Sequence, residues 1–368
     1  MSMEAGFPLV EVTGSAYERG VQHGRAVPDL VKGSIALYRD QLAKRSVTVE
    51  VTDMLARKVV PKIRAFDDGY YDEMRGIADG AGVSVEAIIL VNCRTEMMYG
   101  HASLEAAGDA LDDGCTGLIV LPQASRTGRL IHAHNWDWRE ACGDTGIVLK
   151  VKRNGDGPDM LMFTEAGTLG RHGFNEAGLS LSGNFLTSDR DYKGDADVPL
   201  GLLRRKILEH DNVTEAMRML FGSRRYCSNN LMLGHTGGEA FDFECAPDEI
   251  FWITPEDNIL VHANHWISPS ARAKLVDRGL AVTPDSIYRQ RRVTQALLAA
   301  NGDIGWEEVK AALADDFGAP QAVLASPSAA AFDSVYCTVA TTLMDPGART
   351  MWVARKPYQS RNFVEYKL

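Results

Sequence analysis

The chain has 368 residues, 45% of them hydrophobic and 24% charged, an ordinary globular composition with length for one large layered domain or two to three smaller ones. Its net charge of −10 argues against a nucleic-acid or anionic-membrane surface, and no apolar run approaches the ~20 residues of a spanning helix. The opening MSMEAGFPLVEV lacks the basic-then-apolar pattern of a signal peptide, so the expected location is the cytoplasm.

Along residues 16–45 apolar positions recur at three- and four-residue spacing, interrupted at Pro28. They do so again over 52–78, with Pro61 inside and Gly80 and Gly82 closing the stretch. A shorter helical stretch covers 85–98. Residues 101–114, HASLEAAGDALDDG, are small and acidic without periodicity and read as an exposed loop. After Gly114 the texture changes. TGLIVLP (116–122) and RLIHAH (129–134) read as strands, and TGIVLKVKR (145–153) and DMLMFTEAG (159–167) flank the hairpin signals Asn154-Gly155 and Asp156-Gly157. HGFNEAGLSLSGNF (172–185) continues turn-then-strand. Residues 198–220 return to helix, with Pro199 in a first turn and Asp211 as a second cap. LMLGHTGGEAFDFEC (231–245) and EIFWIT (249–254) are strand-like, 283–300 is helical, and TVATTLMDP (338–346) with MWVARK (351–356) closes in strands. There is no internal repeat or low-complexity tract. Hairpins dominate, which favours an α+β arrangement of antiparallel sheets layered with helices over a parallel doubly wound sheet.

Six cysteines, at 93, 115, 142, 227, 245 and 337, form no C-x-x-C pair, so zinc ribbons and dithiol redox chemistry have no support. Most read as small buried hydrophobes. Cys115 differs, because it follows Gly114 at the junction of the acidic loop and an apolar strand, in LDDGCTGLIV. Attack of its thiol on the Gly114 carbonyl gives a thioester, and water then liberates Cys115 as a new N-terminus. An α-amine of pKa near ~8 is a suitable general base for its own thiol. On the tetrapeptide alone, a buried structural cysteine is the simpler reading.

The ordered set of neighbours shifts that balance. GSAYERGVQHG (14–24), EMRGIADGAGVS (73–84), NCRTE (92–96), DGCT (113–116), HNWDW (134–138), TEAGTLGRHGFNEAGLSLSGNF (164–185), VPLGLLRRKILE (198–209), VHANH (261–265) and PDSIYRQRR (284–292) run nearly end to end. In these pieces the chain resembles the acyl-CoA:6-aminopenicillanic-acid acyltransferase family of self-processing N-terminal-nucleophile hydrolases. The resemblance implies a four-layer αββα fold with Cys115 at the end of a central strand. It also implies cleavage at Gly114–Cys115, freeing residues 1–114 as a helical α-chain that stays as heterodimer partner of a catalytic β-chain, 115–368. No metal or organic cofactor is implied.

By that resemblance Asp137 orients the new ammonium group and holds the thiol during self-cleavage. Asn264 supplies an oxyanion-hole amide worth ~3 kcal/mol, with Asn184 as a second polar contact carried over from the related choloylglycine-hydrolase group. Thr116 places its hydroxyl near the scissile bond, and Ser334 matches a family serine. The family pattern has Arg beside that serine where this chain has Val335, which puts penicillin-type substrates in doubt. Trp136 and Trp138 read as packing residues, one of them a candidate pocket wall, and Asn175 and His265 join them as substrate-binding candidates. Arg289 and Arg292 match family positions, but structural salt bridges explain them better.

The expected activity is cleavage or transfer of the acyl group of a small N-acyl compound through a thioester on Cys115. A higher homo-oligomer is left open. Two alternatives come from other classes. His132-Ala-His134, with His172, His210, His235, His262 and His265, suggests a metal-dependent amidohydrolase, although HxH is a short pattern and no βα alternation follows it. The other is a non-catalytic scaffold that binds acyl compounds.

Overall fold

Glycine spacing decides how the N-terminal helices meet. The computed structural model describes residues 6–100, 114–193, 198–330 and 333–368. After strand β1 (Leu9–Thr13), a Ser15/Glu18 capping box opens α1 (Ala16–Ala26), Pro28 opens α2 (Pro28–Ala43), and Thr48 caps α3 (Val49–Phe66). Helix α4 (Asp68–Ala81) ends at Gly82 with φ +68°, followed by α5 (Val85–Asn92) and α6 (Arg94–Tyr99). Gly20 and Gly24 of α1 lie on the backbone of α4, and Gly76 and Gly80 of α4 lie on α1. A β-carbon at Gly20 would sit 2.8 Å from Ile77 N, and one at Gly76 would sit 2.8 Å from Val21 N. Both glycine pairs belong to the first two family-like segments, so those segments encode a close helix crossing.

The body supplies β2 (Gly114–Val120), β3 (Ile131–Arg139), β4 (Gly146–Lys152), β5 (Met160–Glu165), β6 (His172–Asn175) and β7 (Leu179–Ser182). Then come α7 (Leu200–Leu208), α8 (Val213–Gly222), β8 (Asn229–His235), β9 (Glu239–Cys245), β10 (Ile250–Ile253) and β11 (Ile259–His262). The remainder is α9 (Pro269–Lys274), α10 (Asp285–Leu298), α11 (Trp306–Leu313), β12 (Ser328–Ala330), β13 (Ser334–Asp345), β14 (Thr350–Arg355) and β15 (Phe363–Lys367). One sheet runs β1-β4-β5-β6-β7-β8-β9-β10; the other runs β11-β2-β3-β13-β14-β15, with β12 on β13. Among these described strands every pairing is antiparallel except β1 with β4.

Ile119, Leu130, Met232, Ala240 and Leu260 pack between the two sheets. On the outer face of the second sheet, Leu118, Val120, Ile131, Ala133 and Val261 meet Val293, Leu297, Val309 and Leu313 of α10 and α11. The N-terminal helices with α7 and α8 share the largest apolar cluster with the first sheet, giving α/β/β/α layering. Among the described residues no helix is long and apolar enough to cross a membrane.

Several sequence expectations shift. The 52–78 stretch is two helices, because Asp67 leaves the helical conformation and its side chain accepts from Gly69 N at 2.9 Å. The second cap is Asn212, accepting from Glu215 N at 2.9 Å, and not Asp211. The 129–134 strand extends through HNWDW to Arg139. Strand β1 went unread because five residues with two buried valines carry little periodic signal. The acidic stretch 101–113 lies outside the described residues, and Gly114 is already the first residue of β2.

Candidate active site

The two-residue period of a strand sorts this site. On β2 the odd positions face the first sheet: a β-carbon at Gly117 would meet Met232, Ser182 and His134, and Ile119 packs with Met232. Even positions face α10 and α11, as Leu118 and Val120 do. Cys115 therefore looks into the space between the layers. There it lines a cleft of about 630 Å³, part of it open to solvent, together with Arg94, Glu165, Arg171, Phe185 and Arg204. Its partner on β3 is Trp136, and Gly114 is opposite Asp137.

The main chain around Cys115 is held from the other side. Asn264, two residues past β11, accepts from Cys115 N at 2.7 Å and from Arg289 Nη2 at 3.0 Å through Oδ1. Both partners can only donate, so the orientation of this amide is fixed and Nδ2 faces the Phe185 carbonyl at 3.0 Å. Ser286 at the start of α10 accepts from Asn264 N at 2.7 Å and shares a hydrogen bond with His265 Nδ1 at 2.7 Å. Burial, His262 and Arg289 keep that imidazole neutral, its pKa lowered to about 3.

Arg289 corrects the sequence reading. Its ion pair with Asp285 at 2.7 Å is real, but the guanidinium is also buried against the site. Nη1 donates to the Cys115 carbonyl at 2.7 Å and to Thr116 Oγ1 at 3.1 Å. Burial opposes its charge; Asp285, Tyr336 and Asp137 outweigh burial and raise its pKa above the ordinary value. Arg292, by contrast, pairs with Asp315 at 2.6 Å and lies over the Phe317 ring, 4.4 Å from its centre.

Asp137 sits on the residue that precedes Cys115. Its Oδ1 accepts from Thr338 Oγ1 at 2.6 Å, and Thr338 in turn accepts from Ala325 N at 2.8 Å, next to an irregularity in the β13 register. A β-carbon at Gly114 would lie 3.2 Å from Asp137 Oδ2 and would collide with the Tyr336 hydroxyl. Burial and the Asp137 carboxylate push the Tyr336 phenol well above its ordinary pKa, so it stays neutral. Tyr336 escaped the sequence reading; its one available signal was its place two residues after Ser334.

The remaining candidates spread outward. Asn184 directs Oδ1 to His134 Nε2 at 3.0 Å and Nδ2 to the His262 carbonyl at 2.9 Å, and so braces β3 against β11. Asn175 spends its amide on the carbonyls of Leu208 and His210 and on Leu179 N, within the β6–β7 turn. Trp136 and Trp138 are fully buried, with the Arg171 guanidinium 3.9 Å from the Trp136 ring centre and Arg94 5.3 Å from that of Trp138. Ser334 opens β13, opposite Ala330.

His132 meets Ser180 and Ser182 hydroxyls through both ring nitrogens, at 2.9 and 2.8 Å, and burial lowers its pKa to about 3. The His134 and His172 rings lie 4.9 Å apart, tilted by 46° to each other. Among the described residues no group of three or more His, Cys, Asp or Glu side chains is gathered as a metal site. A second buried cluster stands behind Asn264. There His262 donates Nδ1–H to its neighbour Ala263 O and Nε2–H to Glu244, both at 2.9 Å, with Asp242 at 3.9 Å. Burial opposes the imidazolium, and Asp242 and Glu244 overcome it, raising its pKa to about 9.

Residues 124–356 match the acyl-coenzyme A:6-aminopenicillanic acid acyl-transferase family, a span that begins just after Cys115. The acyl-coenzyme A:6-aminopenicillanic-acid-acyltransferase 40 kDa form of Emericella nidulans is 29% identical over 303 residues, 80% of this chain and 78% of that protein. Protein dcd1A of Dictyostelium discoideum is 21% identical over 265 residues, 63% of this chain and 57% of that one. A variant of the conjugated bile acid hydrolase from Clostridium perfringens shares the fold, with a TM-score of 0.51 at 14% identity, over 69% of this chain and 92% of that chain. The αββα architecture is that of the N-terminal-nucleophile hydrolases, and the chain belongs to the acyl-coenzyme A:6-aminopenicillanic acid acyl-transferase family.

Proposed function

We propose that this chain, an enzyme of amide-cleaving acyl transfer, cuts itself between Gly114 and Cys115 in the cytoplasm and then works through the N-terminal Cys115. In maturation Sγ bonds to the Gly114 carbonyl carbon, the C–N bond breaks, and the departing nitrogen takes a proton. Water splits the resulting thioester into a Gly114 carboxylate and the Cys115 thiol. In turnover the α-amine takes the thiol proton, Sγ attacks the substrate carbonyl, and the proton passes on to the leaving amine. The acyl-thioester then goes to water or to a second amine. Hydrolysis is the default, because acyl transfer needs a seat for another substrate. Asn264 Nδ2 carries two hydrogens and the Phe185 carbonyl takes one, which leaves the other for the oxyanion. Asp137, opposite Gly114 on the acyl side of the scissile bond, orients the new ammonium group and holds the thiol during self-cleavage, and Thr116, Asn184 and Ser334 support the strands that carry these groups. The reaction uses no metal or organic cofactor.

The observation that carries this reading is the seat already built for the Cys115 nitrogen: Asn264 Oδ1 at 2.7 Å, with Arg289 on the adjoining carbonyl. Residues 1–114 and 115–368 remain a heterodimer, since β1 is hydrogen-bonded to β4 and Glu73 of α4 is shared by Arg19 and Arg205 in a buried ion network. A denaturing gel with intact masses on wild type and Cys115→Ala tests the reading. The expected result is two fragments split at Gly114–Cys115 for wild type and one whole chain for the variant. A wild type that never yields a Cys115 N-terminus overturns it.

A further inference from the structure

Strand alternation brings two carboxylates to the back of the loop that carries Asn264. Ala240 of β9 packs between the sheets, so Asp242 and Glu244, two and four residues on, look into the same space. Across it stands His262, the last residue of β11, and Glu244 and His262 are both fully buried. The imidazole directs Nδ1 to Ala263 O and Nε2 to Glu244 Oε1, both at 2.9 Å. The Ala263 carbonyl and the Glu244 carboxylate only accept, so both ring nitrogens carry hydrogen and the contact is a charge-assisted pair. The raised pKa of His262 agrees with that geometry.

Glu244 also reaches past Asn264. Its Oε1 accepts from Ile267 N at 2.6 Å and its Oε2 from Ser268 N at 3.1 Å, where the loop leads into α9. One carboxylate therefore ties residue 262 to residues 267 and 268, and Asn264 lies in the bend between them. The other loop N–H groups also lean on side chains, Asn264 N on Ser286 at 2.7 Å and Trp266 N on Asp277 at 3.0 Å. The course of this loop is thus set by acceptors from outside it. At its front, Asn264 Oδ1 is 2.7 Å from Cys115 N in the uncut chain. A displacement of about 1 Å at such a contact can cost about 10²-fold in rate.

We infer that Glu244 and His262 are positioning residues for Asn264: their buried ion pair holds the 263–268 loop on both sides of that amide and fixes where it meets Cys115. This rests on the role proposed for Asn264 and adds two residues that act through it and not on the substrate. Removing either partner leaves the other charge buried without its mate and frees one end of the loop.

A double-variant cycle on full-length chains tests this. Two rates are followed: appearance of the Cys115 N-terminus after cell-free synthesis, by intact mass, and hydrolysis of 4-nitrophenyl acetate by the matured enzyme. Glu244→Gln keeps the size and loses the charge. It is expected to slow cutting and lower kcat by about 10- to 10²-fold, with KM changed less than about threefold. Glu244→Asp, which keeps the carboxylate, recovers part of both rates. In an Asn264→Ala background Glu244→Gln adds less than about twofold, because the amide it positions is gone. His262→Gln is expected to behave alike and serves where Glu244→Gln does not fold; rates are compared at temperatures where thermal unfolding shows each chain folded. Wild-type rates in the folded variants overturn the inference, as do losses that multiply with those of Asn264→Ala. A crystal structure of the uncut Cys115→Ala/Glu244→Gln chain reads position without chemistry. The expected result is Asn264 Oδ1 beyond hydrogen-bond reach of the backbone nitrogen at 115, and an unmoved amide overturns the inference. If wild type stays uncut and inert, the proposed function fails, and a displaced amide in that crystal structure still upholds the inference.

Discussion

At the residue scale, Arg289 joins strand, loop and helix through one guanidinium. It binds the Cys115 carbonyl, Thr116 and Asn264 and pairs with Asp285, all under cover. Arg289→Met strands Asp285 and several acceptors together, so we expect self-cleavage to stop and stability to fall by about 3 kcal/mol, read from urea midpoints. Arg289→Lys recovers the charge but not the fork, so cleavage remains impaired. Gly114→Ala drives a methyl into the Tyr336 hydroxyl, and the expected outcome is arrested maturation in a time course of intact masses. Adding Tyr336→Phe removes the obstructing oxygen and is expected to restore part of the cutting. Sequence singled out Cys115, Asp137 and Asn264 through short motifs of defined order, and all three meet at the Gly114–Cys115 bond in the fold. It did not separate Arg289 from Arg291 and Arg292 on the same helix, since only the approach of α10 to β2 and β11 decides which one is buried.

At the element scale, the α1–α4 crossing and the strand behind Asn264 each make a claim. Gly76→Ala places a β-carbon on the α1 backbone, where no side chain can yield, and should cost about 1–3 kcal/mol in denaturant unfolding of the whole chain. His262, with its pKa raised to about 9, contributes stability that is complete below its unfolded value near ~6.5 and is lost as pH rises through about 9. Asp242, raised to about 7 chiefly by burial, has largely ionised before the upper part of that window. Stability should therefore fall by roughly 1–3 kcal/mol between pH 7 and 10. His262→Gln should flatten that fall, as followed by thermal unfolding across the range. Hairpins with Asn-Gly and Asp-Gly turns were readable, because turn chemistry is local. Strand β1 and the division at Asp67 depend on a partner strand and on one side-chain cap, which spacing alone does not reveal.

At the scale of the whole molecule, the layering was anticipated from the run of hairpins and the family-like segments, whereas the partition of charge across it was not. Arg19 and Glu73 belong to the first 114 residues, and Arg205, Glu209 and Arg153 to the remainder. They join underground: Arg205 reaches Glu209 at 2.9 Å and Glu73 at 3.5 Å, and Arg153 reaches Glu209 at 2.9 Å. After cutting, the fragments should co-elute in native size-exclusion chromatography and separate only in denaturant. Glu73→Ala leaves two buried guanidinium groups short of a counter-charge and should lower the denaturant concentration at which the fragments part.

The alternation along β2 has an evolutionary reading as well. Odd positions of β2 and even positions of β3 look into the space between the layers, while Thr116 and Asp137 look toward the braces that hold the backbone around Cys115. Cleft and braces thus occupy opposite sides of one hairpin. Descendants of this scaffold can therefore vary the side chains around the cleft while the reverse side of the same strands keeps the Cys115 backbone in place.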